Sequence, residues 1–169
     1  MSLASSIAVR LEALLEGGLD LSDRNDDLDL SASIALATGT GAGQADQVFH
    51  DERTIAASGN EDLDLAGALS DPFGATLTFA RIKAVLIVAD TGNTNNVVIT
   101  EPASNGVGLF EAGGDAIVLS PGGIFLWAAG AADATGKAVT ASTGDLLNIS
   151  NSGAGTGVTY KVVIIGASA

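Results

Sequence analysis

Hydrophobic positions change their spacing near residue 28. Before it, Leu3, Ile7, Leu11, Leu14 and Leu15 recur at intervals of three and four, which aligns side chains on one face of a helix. Ser2 stands where an N-cap belongs, and Gly17-Gly18 supplies a stop. The pattern predicts a short N-terminal helix of about four turns, marginal alone in water. Its leucine stripe needs a partner, either its own domain or a neighbouring subunit.

An acidic stretch follows, with Asp20, Asp23, Asp26, Asp27 and Asp29. Asp23, Asn25 and Asp27 occupy the first, third and fifth positions of a calcium loop. The sixth and twelfth positions, which need glycine and glutamate, are Leu28 and Ile34. The segment therefore reads as a solvated linker, and residues 1–27 as a helix-and-linker arm ahead of a domain over 28–169.

From Leu28 the period is two. Leu28, Leu30, Ala32, Ile34 and Leu36 alternate with mostly polar neighbours, the pattern of a half-buried strand. Gly39–Gly43 breaks it. Further strands are predicted at Gln47–Ile55, around Leu63 and Leu65, and at Thr76–Ala89. Along the last of these the apolar parity switches near Ala80-Arg81, the mark of a bulge. Val85 and Ile87 make its later half apolar on both faces, so it is buried on both sides or touches another subunit.

Shorter strands are predicted at 96–100, 107–110, 116–120, 124–128, 137–141, 146–150 and 158–165. Turn-forming residues bound each of them, and Gly153, Gly155 and Gly157 read as a hairpin loop. About ten strands at 8–12-residue spacing, with no helix between them, predict an antiparallel β-sandwich, jelly-roll-like in connection.

Composition narrows the chemistry. The 169 residues include no cysteine and one histidine, which excludes disulfides, thiolate metal sites and any zinc site built on two imidazoles. The net charge of −13 disfavours nucleic acid and anionic membranes as partners. Residues 1–90 carry fifteen acids against five cations, and residues 91–169 five against two, so the acidic excess lies in the first half. No basic apolar leader opens the chain, and the longest dense apolar run is Ala84–Ala89. The expectation is a soluble protein made in the cytoplasm.

Catalytic constellations are thin. No serine sits in a G-x-S-x-G elbow. His50 has Asp51 beside it, but neighbours on a strand point to opposite faces, so His50 is read as a surface or interface residue. Gly130–Lys137 resembles a P-loop only faintly: the spacing is one residue too long, and Ala138 follows the lysine. Carboxylate pairs for sugar hydrolysis exist among fourteen Asp and six Glu, but aromatic platforms are few. Arg53 and Arg81 fall inside strands, where each needs a carboxylate such as Asp51, Glu61 or Asp62.

Four phrases carry a resemblance. They are GTGAGQADQVFHDERTIAASGNEDLDLAG at Gly39–Gly67, FARIKAVLIVA at Phe79–Ala89, TGNTNNVVI at Thr91–Ile99 and NSGAGTGVTYKVVIIG at Asn151–Gly166. Together they resemble small virion structural proteins of tailed bacteriophages, most of all the capsid decoration (cement) proteins. The resemblance spans about residues 39–166 and omits the N-terminal helix and linker. It implies a non-enzymatic β-sandwich subunit that binds and stabilises the outside of a capsid shell. Its partners would be the major capsid protein and further copies of itself, as a homo-oligomer such as a trimer. Nucleic acid, membrane, cofactor and metal are not expected, and the location would be the virion. The expected contact residues are Leu3, Ile7, Leu11, Leu14, Leu15, His50, Arg53 and Arg81. A tail or fibre module binding host glycans is the alternative, and a carboxylate hydrolase a third class.

Overall fold

A computed structural model describes residues 2–169, with the side chain of Leu19 outside the description. The described chain is all-β, with twelve strands and no helix. The strands are β1 (Ser5–Leu19), β2 (Ser22–Thr38), β3 (Gln44–Ala45), β4 (Gln47–Ile55), β5 (Asn60–Asp64) and β6 (Arg81–Ala89). They continue with β7 (Val97–Thr100), β8 (Ala116–Leu119), β9 (Ile124–Ala128), β10 (Lys137–Ala138), β11 (Leu146–Asn151) and β12 (Val158–Ala167).

The predicted N-terminal helix is absent. Residues 5–19 form a long strand paired antiparallel with β2 along its whole length, from Ser5↔Leu36 to Leu19↔Ser22. Leu11 and Leu15 satisfy helical spacing, but Ile7, Val9, Leu11, Ala13 and Leu15 also satisfy a period of two. The two periods share their strongest residues, and pairing decides between them. A lone helix of this length is marginal in water, whereas β2 offers Leu28, Leu30, Ala32 and Ile34 as cross-strand neighbours. The acidic linker is likewise absent. Asp20-Leu21 is the turn of this hairpin, and Asp23–Asp29 lies in the first half of β2, which runs unbroken across position 27/28.

Two antiparallel sheets form the body. One has the order β10-β6-β12-β4, with β9 also on the outer side of β6; the other has the order β5-β11-β7-β8. Alternate residues of both face a common core, with Phe49, Val85, Ile87, Val162 and Ile164 from the first sheet and Leu63, Val97, Ile99, Leu147 and Ile149 from the second. Phe125 and Trp127 of β9 pack against its margin. A short third sheet joins the hairpin to the body, where β3 pairs parallel with the last two residues of β2.

The bulge expected near Ala80-Arg81 lies at Lys83. Ile165 faces Ala84 while Gly166 faces Ile82, so Lys83 is the extra residue. Leu77 and Phe79 are buried in an extended segment before β6 rather than in the strand itself. Val107–Phe110, expected as a strand, is a loop. The glycine-rich segment 152–157 connects β11 in one sheet to β12 in the other, so it is not a hairpin loop.

Candidate interaction surface

The β1–β2 hairpin is an arm. Fifteen residue pairs at about 3.3 Å each give it a length of about 50 Å. Its register sorts the side chains by chemistry. Ile7, Val9, Leu11, Ala13 and Leu15 share one face with Ile34, Ala32, Leu30 and Leu28. The opposite face carries Arg10, Glu12 and Glu16 of β1 with Asp23, Asn25, Asp27, Asp29 and Ser31 of β2. Polarity enters the apolar face at Ser5 at the base and at Asp26, Arg24 and Ser22 toward the tip.

Burial along the arm is uneven. At its base Leu36 is 3% exposed, and Leu3, Ile7 and Ile34 are half-buried. The Thr38 hydroxyl closes the base by donating to the Leu3 carbonyl at 2.5 Å. Farther out the apolar face is open to water, with Leu30 63% and Leu15 72% exposed. On the acidic face Arg10 meets Asp29 through two hydrogen bonds of 3.1 and 2.9 Å and Glu12 at 2.7 Å. The Asp29 hydrogen bond raises the pKa of this exposed guanidinium. Asp23, Asn25 and Asp27 lie along an extended strand, at every second position, rather than around a loop. Among the described residues no group of three acidic or histidine side chains is placed to hold a metal ion.

The two outer faces of the body differ. The four-stranded sheet turns Asn60, Asp62, Thr100, Asn148 and Ser150 outward, with Val98 and Val118 among them. The five-stranded sheet turns out Leu86 and Val88 of β6, Ile124 and Leu126 of β9, and Val163 and Ile165 of β12. Ile124 is 66% exposed and Leu126 36%. A cavity of about 550 Å³ lies between this face and the base of β1, lined by Ser6–Arg10 on one side and by Leu86, Leu126 and Val163 on the other. The sequence signal for this face is apolarity at both parities, in Ala84–Ala89 and again in Ile124–Ala128.

Of the expected contact residues, Ile7, Leu11 and Leu15 share the apolar face of the arm. Leu3 lies at its base, and Leu14 is exposed on the acidic face. His50 is exposed on the outer side of β4, and Asp51 points the opposite way. Arg53 is engaged within the chain. It reaches Glu61 of β5 at 2.5 and 2.7 Å and Asp51 at 3.0 Å, the carboxylates its position demanded. The Glu61 hydrogen bond pushes the Arg53 pKa up. Glu61 also accepts from the Tyr160 hydroxyl at 3.0 Å, and burial first, then the Glu61 charge, raises the phenol pKa. Arg81 donates to the Ala134 carbonyl rather than to a carboxylate.

Three further polar groups close loops. Buried Glu101 accepts from the backbone N–H groups of Gly108, Leu109 and Phe110 at 2.8–3.2 Å. The Lys83 ammonium, buried by the bulge, donates to the Asp133 carbonyl, and desolvation lowers its pKa. The Asp133 carboxylate accepts from Thr135 and Gly136, which lowers its own pKa; the P-loop-like segment is thus a self-bonded turn.

No protein-family model matches the chain, and neither a curated protein nor a solved structure does. No helix among the described residues is long and apolar enough to cross a membrane.

Proposed function

We propose that the protein is a non-enzymatic assembly subunit of a tailed-bacteriophage virion, a decoration protein that binds and stabilises the outside of a capsid shell. One observation carries the reading: the molecule holds two apolar faces out of its own core, one along the arm and one on the outer side of a sheet. Contiguous apolar surface of this kind marks contact with another macromolecule. Several polar side chains outside those faces hold loops and sheets together, as Arg53, Glu61 and Glu101 do. The four phrases that resemble decoration proteins fall within the body, over residues 39–166, which is read as a jelly-roll-like sandwich. The arm and the apolar outer face then supply contacts to the major capsid protein and to further copies of the chain. The acidic charge suits neither nucleic acid nor an anionic membrane.

Copy number tests the proposal. Quantitative mass spectrometry of purified virions should find hundreds of copies per particle, in fixed ratio to the major capsid protein. Shells stripped of the protein should disrupt at lower temperature and recover when it is added back. A handful of copies per particle, together with binding on a glycan array, would instead make it a tail module.

A further inference from the structure

The arm cannot keep its present form alone in water. A two-stranded ribbon is marginal by itself and becomes stable when a third layer covers its apolar face. From Leu11 outward β1 pairs with β2 alone, and Leu11, Leu15, Leu28 and Leu30 of the apolar face are exposed. Folding back onto its own body would break the base, where Leu36 is buried and β2 pairs with β3. The cover must therefore come from another molecule.

We infer that the apolar face of the arm docks on the outer face of the five-stranded sheet of a second copy of this chain, each copy giving an arm and receiving one. The inference rests on the assembly reading above only in treating these two faces as contact faces; it needs no shell. Three observations select this occupant. The acceptor face lies on the same chain, apolar and open at Ile124 and Leu126, with the half-buried Leu86 and Val163 beside them. Most acids of the arm stay clear of the contact, because Glu12, Glu16, Asp27 and Asp29 point to the other side of the ribbon and Asp26 stands beside Arg24 near the tip of the apolar face. Area supplies the third. The nine pairs from Leu11↔Leu30 to Leu19↔Ser22 cover about 30 Å by 10 Å. One arm on one sheet then removes about 600 Å² from water, the size of a lattice contact, whereas two reciprocal contacts remove about 1,200 Å², where stable interfaces begin. The exchange must therefore be reciprocal, as a two-fold dimer.

Sedimentation of the purified full chain, with no particles present, tests this. The wild type should form a closed oligomer at tens of micromolar. The pair Leu11→Asp with Leu30→Asp, and separately the pair Ile124→Asp with Leu126→Asp, should each weaken association by roughly a hundredfold or more, since each removes two buried leucine-sized contacts. These side chains are exposed in the single chain, so the body of both variants should stay folded, with the cooperative unfolding transition of the wild type. A second readout uses the absence of cysteine. Mixing Leu15→Cys chains with Ile124→Cys chains and adding a bis-maleimide should yield the mixed cross-linked dimer as the main product.

A wild-type monomer at these concentrations overturns the inference. So does an oligomer that loses its mass on the arm substitutions and keeps it on the sheet substitutions, since arms would then be pairing with arms. An oligomer that forms as described but leaves shells uncoated would refute the decoration reading alone. A monomer that coats shells would refute only this exchange.

Discussion

Tyr160 of β12 donates its hydroxyl hydrogen to Glu61 of β5 at 3.0 Å, so one hydrogen bond ties the two sheets across the open edge of the core. Glu61 is held in turn by Arg53 on the neighbouring edge strand β4. The arrangement explains why a strand as polar as Gln47–Ile55 can lie in the sheet. Its inward-facing Asp51 and Arg53 close the rim with an ion pair instead of entering the core.

The same contact makes stability depend on alkaline pH. Burial and the Glu61 charge raise the Tyr160 pKa above its ordinary value of about 10. Above pH 10 the unfolded chain releases the phenol proton while the folded chain keeps it. This contribution is therefore fully present below about pH 10, and stability falls by about 1.4 kcal/mol per pH unit above it. Tyr160 is the only tyrosine, so phenolate absorbance reports this residue alone. The absorbance should rise together with loss of the strand spectrum and not before it. Tyr160→Phe should cost about 1 kcal/mol at neutral pH and remove the alkaline slope. A phenolate signal near pH 10 in a folded protein would refute the account.

Glu101 organises the loop that follows β7. Its carboxylate accepts from three consecutive backbone N–H groups, those of Gly108, Leu109 and Phe110, and Val107 and Leu109 enter the core beside it. Hydrogen bonds to a charged acceptor are worth about 1.5–3 kcal/mol each, and removal leaves the buried Leu109 donor without a partner. Glu101→Ala should lower stability by about 2–4 kcal/mol. Amide exchange at 108–110 should accelerate more than in β6 or β12. Equal acceleration everywhere would mean that the carboxylate supports the whole body rather than this loop.

The body was legible in the sequence because its strands are bounded by turn residues and alternate cleanly, as at Leu146–Ser150 and Val158–Ile165. The arm is ambiguous in the sequence because Leu11 and Leu15 belong to both periods. Helical spacing then recruited Leu14, which in the hairpin stands on the acidic face opposite Asp27. What distinguishes the two readings is a second segment, Leu28–Leu36, whose alternation fits β1 only as a strand partner. Local periodicity cannot register such a non-local pairing. Val107–Phe110 is a loop for a different reason: the backbone donors of residues 108–110 are claimed by the carboxylate of Glu101, seven to nine residues earlier, so they never enter a ladder. For the contact surface, apolarity at both parities of Ala84–Ala89 was readable, but which sheet face lay open was not, because the order of β9, β6 and β12 fixes it.

Gly136 is fixed by close approach. Its φ is +60°, and a Cβ there would press into the Ile82 carbonyl oxygen beside the bulge. Gly136→Ala combines a left-handed backbone with a backbone clash, so a loss of about 2–3 kcal/mol is expected. The thermal midpoint should fall accordingly, and the Lys83–Asp133 contact should loosen with the turn. An unchanged midpoint would show that the turn shifts freely and that β10 adds little to the edge of β6.

The arm and body are expected to be energetically separable beyond the base. Val9 and Ala32 face each other ten pairs from Leu19↔Ser22. Antiparallel pairs alternate between hydrogen-bonded and open, so an even displacement returns the same pair type. Replacing residues 10–31 by Asn-Gly should therefore close a short hairpin between Val9 and Ala32 with the correct turn geometry. The removed residues touch only one another or water, whereas Leu36, Ile34 and Ile7 at the base remain. Stability of the shortened chain should stay within about 1 kcal/mol of the full chain in dilute solution, where the full chain is monomeric. Leu36→Asp in the same background should cost about 3 kcal/mol or more, because it buries a carboxylate where the arm enters the body. Denaturant unfolding of the two proteins measures both. Comparable losses from shortening and from Leu36→Asp would mean that the outer arm is part of the folding unit, not a projection from it.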